Sequence, residues 1–222
     1  MAPKTSTKRL NPIFSIAIKA SISLLILIAT AILPFSVSAA PLAVPTTLPD
    51  LSSFSSSIQN GDASVLRGVY IDGLFALPVV QQPGYNAGYV STADNTMTQF
   101  AMAAQFGSVG LLAHNYLSGQ YFFELIPGMM IQLIYGDGHI EYFQVTQVYQ
   151  YQATAPFSVY SDFIDLTTQE YLTGSALFTK VYSGSNHVTF QTCISQDGNS
   201  SWGRLFVIAQ PVHTLVSVTG SN

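Results

Sequence analysis

His187-Val-Thr-Phe-Gln-Thr-Cys-Ile194 and Arg204-Leu-Phe-Val-Ile-Ala209 are two β-favouring runs, separated by the turn-rich Ser195-Gln-Asp-Gly-Asn-Ser-Ser-Trp-Gly203. Two such runs joined by a Gly-containing turn predict an antiparallel hairpin. Because strand residues alternate between the two faces of a sheet, the side chains of the first run divide into two sets. One set faces the core and contains Val188, Phe190 and Thr192, while the other contains Thr189, Gln191 and Cys193.

The predicted hairpin brings together two residues that carry chemistry. Cys193 ends the first strand and Arg204 begins the second, so we expect the two to lie side by side. A guanidinium beside a thiol stabilises the thiolate and can donate hydrogen bonds to an oxyanion. The alternative is a small buried cysteine and an arginine on the surface, which is common for free cysteines.

Further β-favouring runs lie upstream, at residues 69–71, 74–80 and 109–113, and a second hairpin is predicted from residues 129–135 and 139–151. Apolar spacing predicts helices over residues 94–106 and 174–182, and residues 157–166 suggest a short helical turn. Many short strands with few helices are typical of a closed or half-closed β-barrel. The sequence therefore predicts a mainly β fold.

The amino end has the pattern of an export signal. Basic residues up to Lys19 precede an apolar run over residues 20–33, and the small residues Val37-Ser-Ala-Ala40 follow. Residues 1–39 are predicted as a signal peptide or, if uncleaved, a membrane anchor, with the body exported. Residues 40–64 have the Pro/Ser-rich composition of a linker, and residues 65–222 form the folded domain.

Charged residues are scarce, at 8% of the 222 residues, about a third of the usual share. Residues 41–222 contain three basic residues and all 11 carboxylates, a formal charge of 3 − 11 = −8. Nucleic-acid binding needs clustered Lys and Arg, so it is not expected. Cys193 is the single cysteine, which excludes an intramolecular disulfide and a cysteine-based metal motif.

A base near the thiol is available among four histidines. His114 is the best placed, because it ends an apolar strand and opens a loop, where a rigid scaffold holds a side chain beside a cleft. We expect His139, His187 and His213 to be solvated or capping residues. No zinc-ligand or calcium-loop spacing is present, so the sequence predicts neither metal nor cofactor.

These residues resemble the sortases, cysteine transpeptidases of the bacterial cell surface. Thr189-Phe-Gln-Thr-Cys193 is similar to the family's Thr-Leu-x-Thr-Cys motif, with Phe190 in place of Leu. Gly203-Arg204-Leu-Phe-Val resembles the family's arginine at the start of the next strand. Gly110-Leu-Leu-Ala-His114-Asn resembles the strand that ends in Gly-His, with Ala113 replacing Gly. The likeness covers about residues 65 to 211.

The resemblance implies a closed eight-stranded barrel and a two-step acyl transfer at a Leu-Pro-x-Thr-Gly-like sorting signal. It implies Cys193 as nucleophile, His114 as general acid and base, and Arg204 as stabiliser of the oxyanion or substrate. Substrate-binding roles follow for Thr189, Thr192 and Trp202, and the alternative for Trp202 is that it only caps the hairpin. The partners would be surface proteins with a C-terminal sorting signal and an amine acceptor, a cell-wall component or a pilin lysine. A thiol hydrolase and a catalytically silent peptide-binding barrel are the alternatives.

Overall fold

The computed structural model describes residues 47–84 and 86–212. Its ten strands are Leu66–Ile71 (β1), Phe75–Gln81 (β2), Met97–Phe100 (β3), Ser108–Leu112 (β4), Met130–Tyr135 (β5), Ile140–Ala153 (β6), Phe163–Asp165 (β7), Tyr171–Leu172 (β8), His187–Gln196 (β9) and Asn199–Pro211 (β10). Its helices are Leu51–Ile58 (α1), Ala101–Ala104 (α2), the 3₁₀ helix Ser118–Glu124 (η1) and Gly174–Tyr182 (α3).

Eight of the strands close into a barrel. They follow the order β10-β9-β4-β3-β2-β1-β5-β6, and β6 pairs with β10 to complete the ring. The short strands β7 and β8 extend outward from β6. Two pairs, β2 with β3 and β4 with β9, are parallel, and the remaining pairs are antiparallel. The expected closed eight-stranded barrel is confirmed by this pairing.

The barrel interior is filled by the alternate, inward-facing side chains of the strands. Phe190 of β9 packs edge to face against Phe122 of η1, with ring centroids 5.2 Å apart, and both side chains are fully buried. Replacing such a ring by Ala costs about 3 to 5 kcal/mol. The Phe that replaces the Leu of the sortase motif is therefore part of the core.

A second apolar cluster lies on the outer face of the barrel, beneath helix α3. Leu177, Val181 and Tyr182 of the helix pack with Tyr151 of β6 and Phe206 of β10. The Thr173 hydroxyl caps the helix by accepting a hydrogen bond from the Ala176 N–H at 3.2 Å. The helix predicted over residues 174–182 is confirmed, and it covers the sheet beside the Cys193 hairpin.

The helix predicted over residues 94–106 is wrong for most of its length. Residues 97–100 form β3, which pairs with β2 on one side and β4 on the other, and only Ala101–Ala104 is helical. As a strand, β3 forms backbone hydrogen bonds with β2 and with β4. This pairing decides the conformation of residues 97–100 over an apolar spacing that locally fits a helix. Residues 157–162 are turns and irregular backbone leading into β7, so the predicted helical turn is also wrong.

Part of the predicted linker is folded onto the barrel. Residues 51–58 form α1, capped by the Asp50 carboxylate, which accepts from the Ser53 N–H at 2.9 Å. Phe54 is buried against Tyr70 and Ile134. Gly68 makes room for the helix, because a Cβ there would lie 2.3 Å from Cδ1 of Ile58. Five serines among eight residues give this segment the composition of a tether.

The leader predicted over residues 1–39 lies outside the described residues, as do residues 40–46 of the predicted linker and His213. Within residues 47–84 and 86–212, no helix has the length and apolar character needed to cross a bilayer.

Candidate active site

Cys193 and Arg204 face each other across the β9–β10 hairpin. They are directly paired in the antiparallel register, so their side chains lie on the same face of the sheet. The predicted juxtaposition is therefore confirmed. The strands continue beyond the predicted ends and turn at Asp197 and Gly198, which both have positive φ, of 51° and 79°. The turn-rich composition of residues 195–203 concealed this two-residue Asp-Gly turn.

His114 lies on the other side of Cys193. Strand β4 runs parallel to β9, with Leu112 opposite Gln191. The register continues past the end of β4, because the Ala113 N–H donates to the Gln191 carbonyl at 3.4 Å. Counting two residues along both strands places His114 level with Cys193 and on the same face. The three predicted catalytic residues therefore form a row, His114–Cys193–Arg204. The row runs from the residue that follows β4, across β9, to β10.

The loop that follows His114 folds back on this residue. The His114 carbonyl accepts hydrogen bonds from the N–H groups of Leu117 and Gly119, each at 3.0 Å. The imidazole stacks on the ring of Tyr116, with centroids 5.1 Å apart and planes 20° apart. Tyr116 itself is 66% exposed, so one face of the stack is open to solvent. Backbone and ring contacts together fix where His114 sits.

Thr189 and Thr192 are not placed to bind a substrate. They are 0% and 3% exposed, and their hydroxyls donate to the backbone carbonyls of Val181 and Ala113. Thr189 faces outward from the barrel, as its alternation predicts, but helix α3 covers it. Thr192 faces inward and ties β9 to the residue before His114. The substrate-binding roles expected for both are corrected to structural ones.

Arg204 is half-buried and retains hydrogen-bonding capacity. Its Nη1 donates to the carbonyls of Ser201 at 3.0 Å and Gly203 at 2.8 Å. A guanidinium has five N–H donors, and neither Nε nor Nη2 donates to another described residue. Among residues 47–84 and 86–212, the only ion pair is His139–Asp137, so no described carboxylate neutralises Arg204. Its charge is available to an oxyanion or a peptide carbonyl.

A groove of about 720 Å³ begins at Arg204 and runs over the outer face of the sheet. Its floor contains Leu112, Gln191 and Phe206, each two residues from a member of the row His114–Cys193–Arg204. Cys193 and His114 lie beyond its end rather than in its lining. The walls come from residues 87–90, helix α3 and residues 158–163. Arg204 is therefore the member of the row that lines the open groove.

The groove is mostly apolar and aromatic. Arg204 and Asp162 are the charged residues of its lining, and the Asp162 carboxylate already accepts from the Gly174 N–H and the Tyr171 hydroxyl. Burial raises the pKa of Tyr182 far above its usual range, so its neutral hydroxyl donates to the Gln191 amide oxygen. Val159 and Tyr160, 92% and 90% exposed, form an apolar rim. Such a channel suits an extended, neutral peptide.

The remaining predicted site residues lie apart from the groove. Trp202 is half-buried in the irregular stretch of β10 before Gly203 and does not line the groove. His139 pairs with Asp137 in the β5–β6 turn. His187, expected to be solvated or capping, is buried at the start of β9 with Nε2 3.1 Å from the Val181 carbonyl. In the described part of the chain, no three His, Cys, Asp or Glu residues cluster as metal ligands would.

No protein-family model matches the chain, and no curated protein matches it. Solved structures do match. The chain is similar in fold to sortases. Sortase A from Corynebacterium diphtheriae is 14% identical with a TM-score of 0.47, and the match covers 70% of this chain and 64% of that one.

Two further structures are sortase C1 from Streptococcus suis and sortase C-1 from Actinomyces oris, each 12% identical. Their TM-scores are 0.46 and 0.45, and the matches cover 76% and 78% of this chain and 81% and 86% of theirs. At these identities the likeness concerns the fold alone. The row and the groove are features of this chain's own residues.

Proposed function

We propose that this protein is a sortase-type cysteine transpeptidase. The observation that carries the proposal is the row His114–Cys193–Arg204 at the end of an apolar groove: a nucleophile flanked on one side by a base and on the other by an unneutralised cation. These are the three parts that acyl transfer through a thioester requires. A barrel that only binds peptide has no use for all three together.

In the first step, the proton of the Cys193 thiol passes to His114, and the thiolate Sγ attacks the carbonyl carbon of the Thr–Gly bond in a Leu-Pro-x-Thr-Gly-like signal. The carbonyl π electrons move to oxygen, and Arg204 donates hydrogen bonds to the oxyanion. The oxyanion collapses, the C–N bond breaks, and His114 gives a proton to the departing amine. The products are a thioacyl enzyme and a released Gly-terminal fragment.

In the second step, an incoming amine attacks the thioester carbonyl and loses a proton to His114. The C–S bond breaks, the thiolate of Cys193 is released, and a new amide bond forms. Water in place of the amine gives hydrolysis with the same residues. The transferred protein is joined to a cell-wall amine or a pilin lysine in the first case and set free in the second.

The groove supports a peptide substrate of low charge. An extended chain of four or five residues spans about 13 to 18 Å, and the apolar walls and rim suit Leu and Pro side chains. Arg204 at the groove's end would reach the backbone carbonyls next to the scissile bond. We further propose that the protein is exported and acts outside the cytoplasm, by virtue of the leader pattern of residues 1–39.

The test is incubation with a fluorescent peptide containing Leu-Pro-Glu-Thr-Gly, with and without triglycine, followed by mass spectrometry. Transpeptidation predicts a product ending in Thr-Gly-Gly-Gly when the amine is present. Cleavage to a free Thr carboxylate in both samples would establish a hydrolase instead.

The matched control is Cys193→Ser, which changes one atom and leaves a far weaker nucleophile. Cleavage by Cys193→Ser at the parent rate would show that another group carries the reaction. If the parent cuts no peptide of a diverse library, and iodoacetamide labels Cys193 no faster than it labels free cysteine, the silent barrel is the better account.

A further inference from the structure

Asn115 connects the loop that carries His114 to the hairpin that carries Cys193 and Arg204. Its amide Nδ2 donates to the Ser195 hydroxyl oxygen at 2.6 Å and to the Ser200 carbonyl at 3.1 Å. Ser195 belongs to β9 and Ser200 to β10, on opposite sides of the Asp197–Gly198 turn. One side chain therefore bonds to both strands of the hairpin from a residue adjacent to His114.

The chemistry of the two partners fixes which end of the amide is involved. The Ser200 carbonyl can only accept, so the NH₂ group of Asn115 must face it. The same NH₂ supplies its second hydrogen to Ser195, whose hydroxyl accepts. An aspartate has the same shape but offers no donor to the carbonyl. The site thus distinguishes an amide from a carboxylate.

His114 lies just past the end of β4, and the contacts within its own loop do not tie it to the turn of the hairpin. The β4–β9 ladder ends at Leu112 and Gln191, and the Thr192 hydroxyl ties Ala113, one residue before His114. The Tyr116 ring stacks on the imidazole and is itself 66% exposed. The hydrogen bonds of Asn115 join the loop that carries His114 directly to both strands of the hairpin.

We propose that Asn115 is a positioning residue that holds His114 in register with Cys193 and Arg204. The proposal rests on the proposed acyl-transfer function. A displacement of about 1 Å between reacting groups costs on the order of a hundredfold in rate. The Asn115 side chain bonds to Ser195 and Ser200, and Asn115 does not line the groove, so we expect its loss to affect the proton transfers by His114 and to spare peptide binding.

The first experiment measures kcat and KM for the sorting-type peptide in Asn115→Ala, Asn115→Asp and Asn115→Gln. We expect kcat to fall about ten- to a hundredfold in the Ala and Asp variants, with KM within about twofold of the parent. Asn115→Gln keeps the amide donors and recovers part of the loss. Parent kcat in Asn115→Ala would overturn the proposal, and so would an equal rise in KM.

The hairpin side offers a matched pair of variants. Ser195→Ala removes an acceptor and is expected to lower kcat several-fold, whereas Ser200→Ala leaves the accepting carbonyl in place and should retain the parent rate. The double variant Asn115→Ala/Ser195→Ala should be no slower than Asn115→Ala alone, because both changes break the same bond. Multiplied losses would contradict the connection. Should Asn115→Ala fail to fold, Ser195→Ala against Ser200→Ala decides the question.

A second readout is independent of activity. In ¹H–¹⁵N spectra of the folded chain, Asn115→Ala should shift the backbone amide signals of Ser201, next to the lost carbonyl bond, and of His114, compared with the parent. Unchanged signals at Ser201 would refute the connection itself. A parent chain that cleaves no peptide, but shows these shifts, would instead refute the proposed function and leave the contact intact.

Discussion

Adding a single methyl group at Gly119 tests the packing of the loop that carries His114 against Thr192. A Cβ at this position would lie 2.3 Å from the Thr192 hydroxyl oxygen and 2.7 Å from each of the carbonyl oxygens of Ala113 and His114. Ordinary van der Waals contact begins at 3.4 Å, so each carbonyl contact is 3.4 − 2.7 = 0.7 Å too short. The two carbonyls belong to the backbone and cannot rotate away, so the loop that carries His114 must move.

Gly119→Ala is expected to lower the free energy of unfolding by about 1 to 3 kcal/mol, the usual cost of overpacking. The displacement approaches the 1 Å that costs about a hundredfold in rate, so we expect at least a tenfold loss of kcat/KM. Urea unfolding and peptide cleavage measure the two effects. Gly84→Ala is the control, because a Cβ there meets no atom within 4 Å. If both variants behave as the parent does, the packing of the His114 loop against Thr192 is refuted.

Three further changes test other contacts. Tyr116→Ala should lower kcat several-fold by removing the stack on the imidazole, while Tyr116→Phe keeps the ring and the rate. Phe54→Ala should lower the free energy of unfolding by about 3 kcal/mol in urea, because α1 loses its buried anchor; an unchanged value would mean that the helix does not pack there. Hydrogen bonds from the Tyr171 hydroxyl and then the Gly174 N–H lower the pKa of Asp162. Because this pKa is lower in the folded than in the unfolded state, the ionised Asp162 carboxylate stabilises the fold above about pH 4. This stabilisation is lost as the pH falls through the pKa of the folded state. The variant Asp162→Asn should therefore flatten the acid side of a plot of Tm against pH. An equally steep acid side in the variant would contradict it.

The row of candidate residues was predictable because it depends on short-range rules. Strand alternation and hairpin pairing place Arg204 beside Cys193 from two runs that are close together in the sequence. His114 ends an apolar strand and is therefore a candidate base, but the parallel pairing of β4 with β9 joins residues about 80 positions apart, which no local pattern contains. The sequence alone predicts this histidine as a candidate base, whereas its position level with the Cys193 thiol follows from the fold.

The elements predicted wrongly are those that depend on what packs against them. Met97 to Phe100 fits a helical spacing, yet β2 and β4 provide ladder positions on both sides. Residues 51–58 have the composition of a tether, but they form a helix because Phe54 packs against Tyr70. The same holds for Thr189 and Thr192, whose hydroxyls donate to the backbone carbonyls of Val181 in α3 and of Ala113.

The groove and the Asn115 connection could not be predicted at all from the sequence. The groove is assembled from residues 87–90, 158–163 and α3, three segments that meet only over the outer face of the barrel. Asn115 has partners 80 and 85 residues away. The sequence pattern of an asparagine after a histidine gives no sign that its side chain bonds to the Ser200 carbonyl in the irregular stretch of β10.

The central claim is that Cys193 forms a thioester with the substrate carbonyl. Intact-protein mass spectrometry after brief incubation with a Leu-Pro-Glu-Thr-Gly peptide, quenched in acid without an amine, measures this directly. The account predicts a mass increase equal to the peptide up to Thr, less water, located on Cys193, removed by hydroxylamine and lacking in Cys193→Ala. Peptide cleavage with no adduct on Cys193, and undiminished turnover by Cys193→Ala, would contradict it.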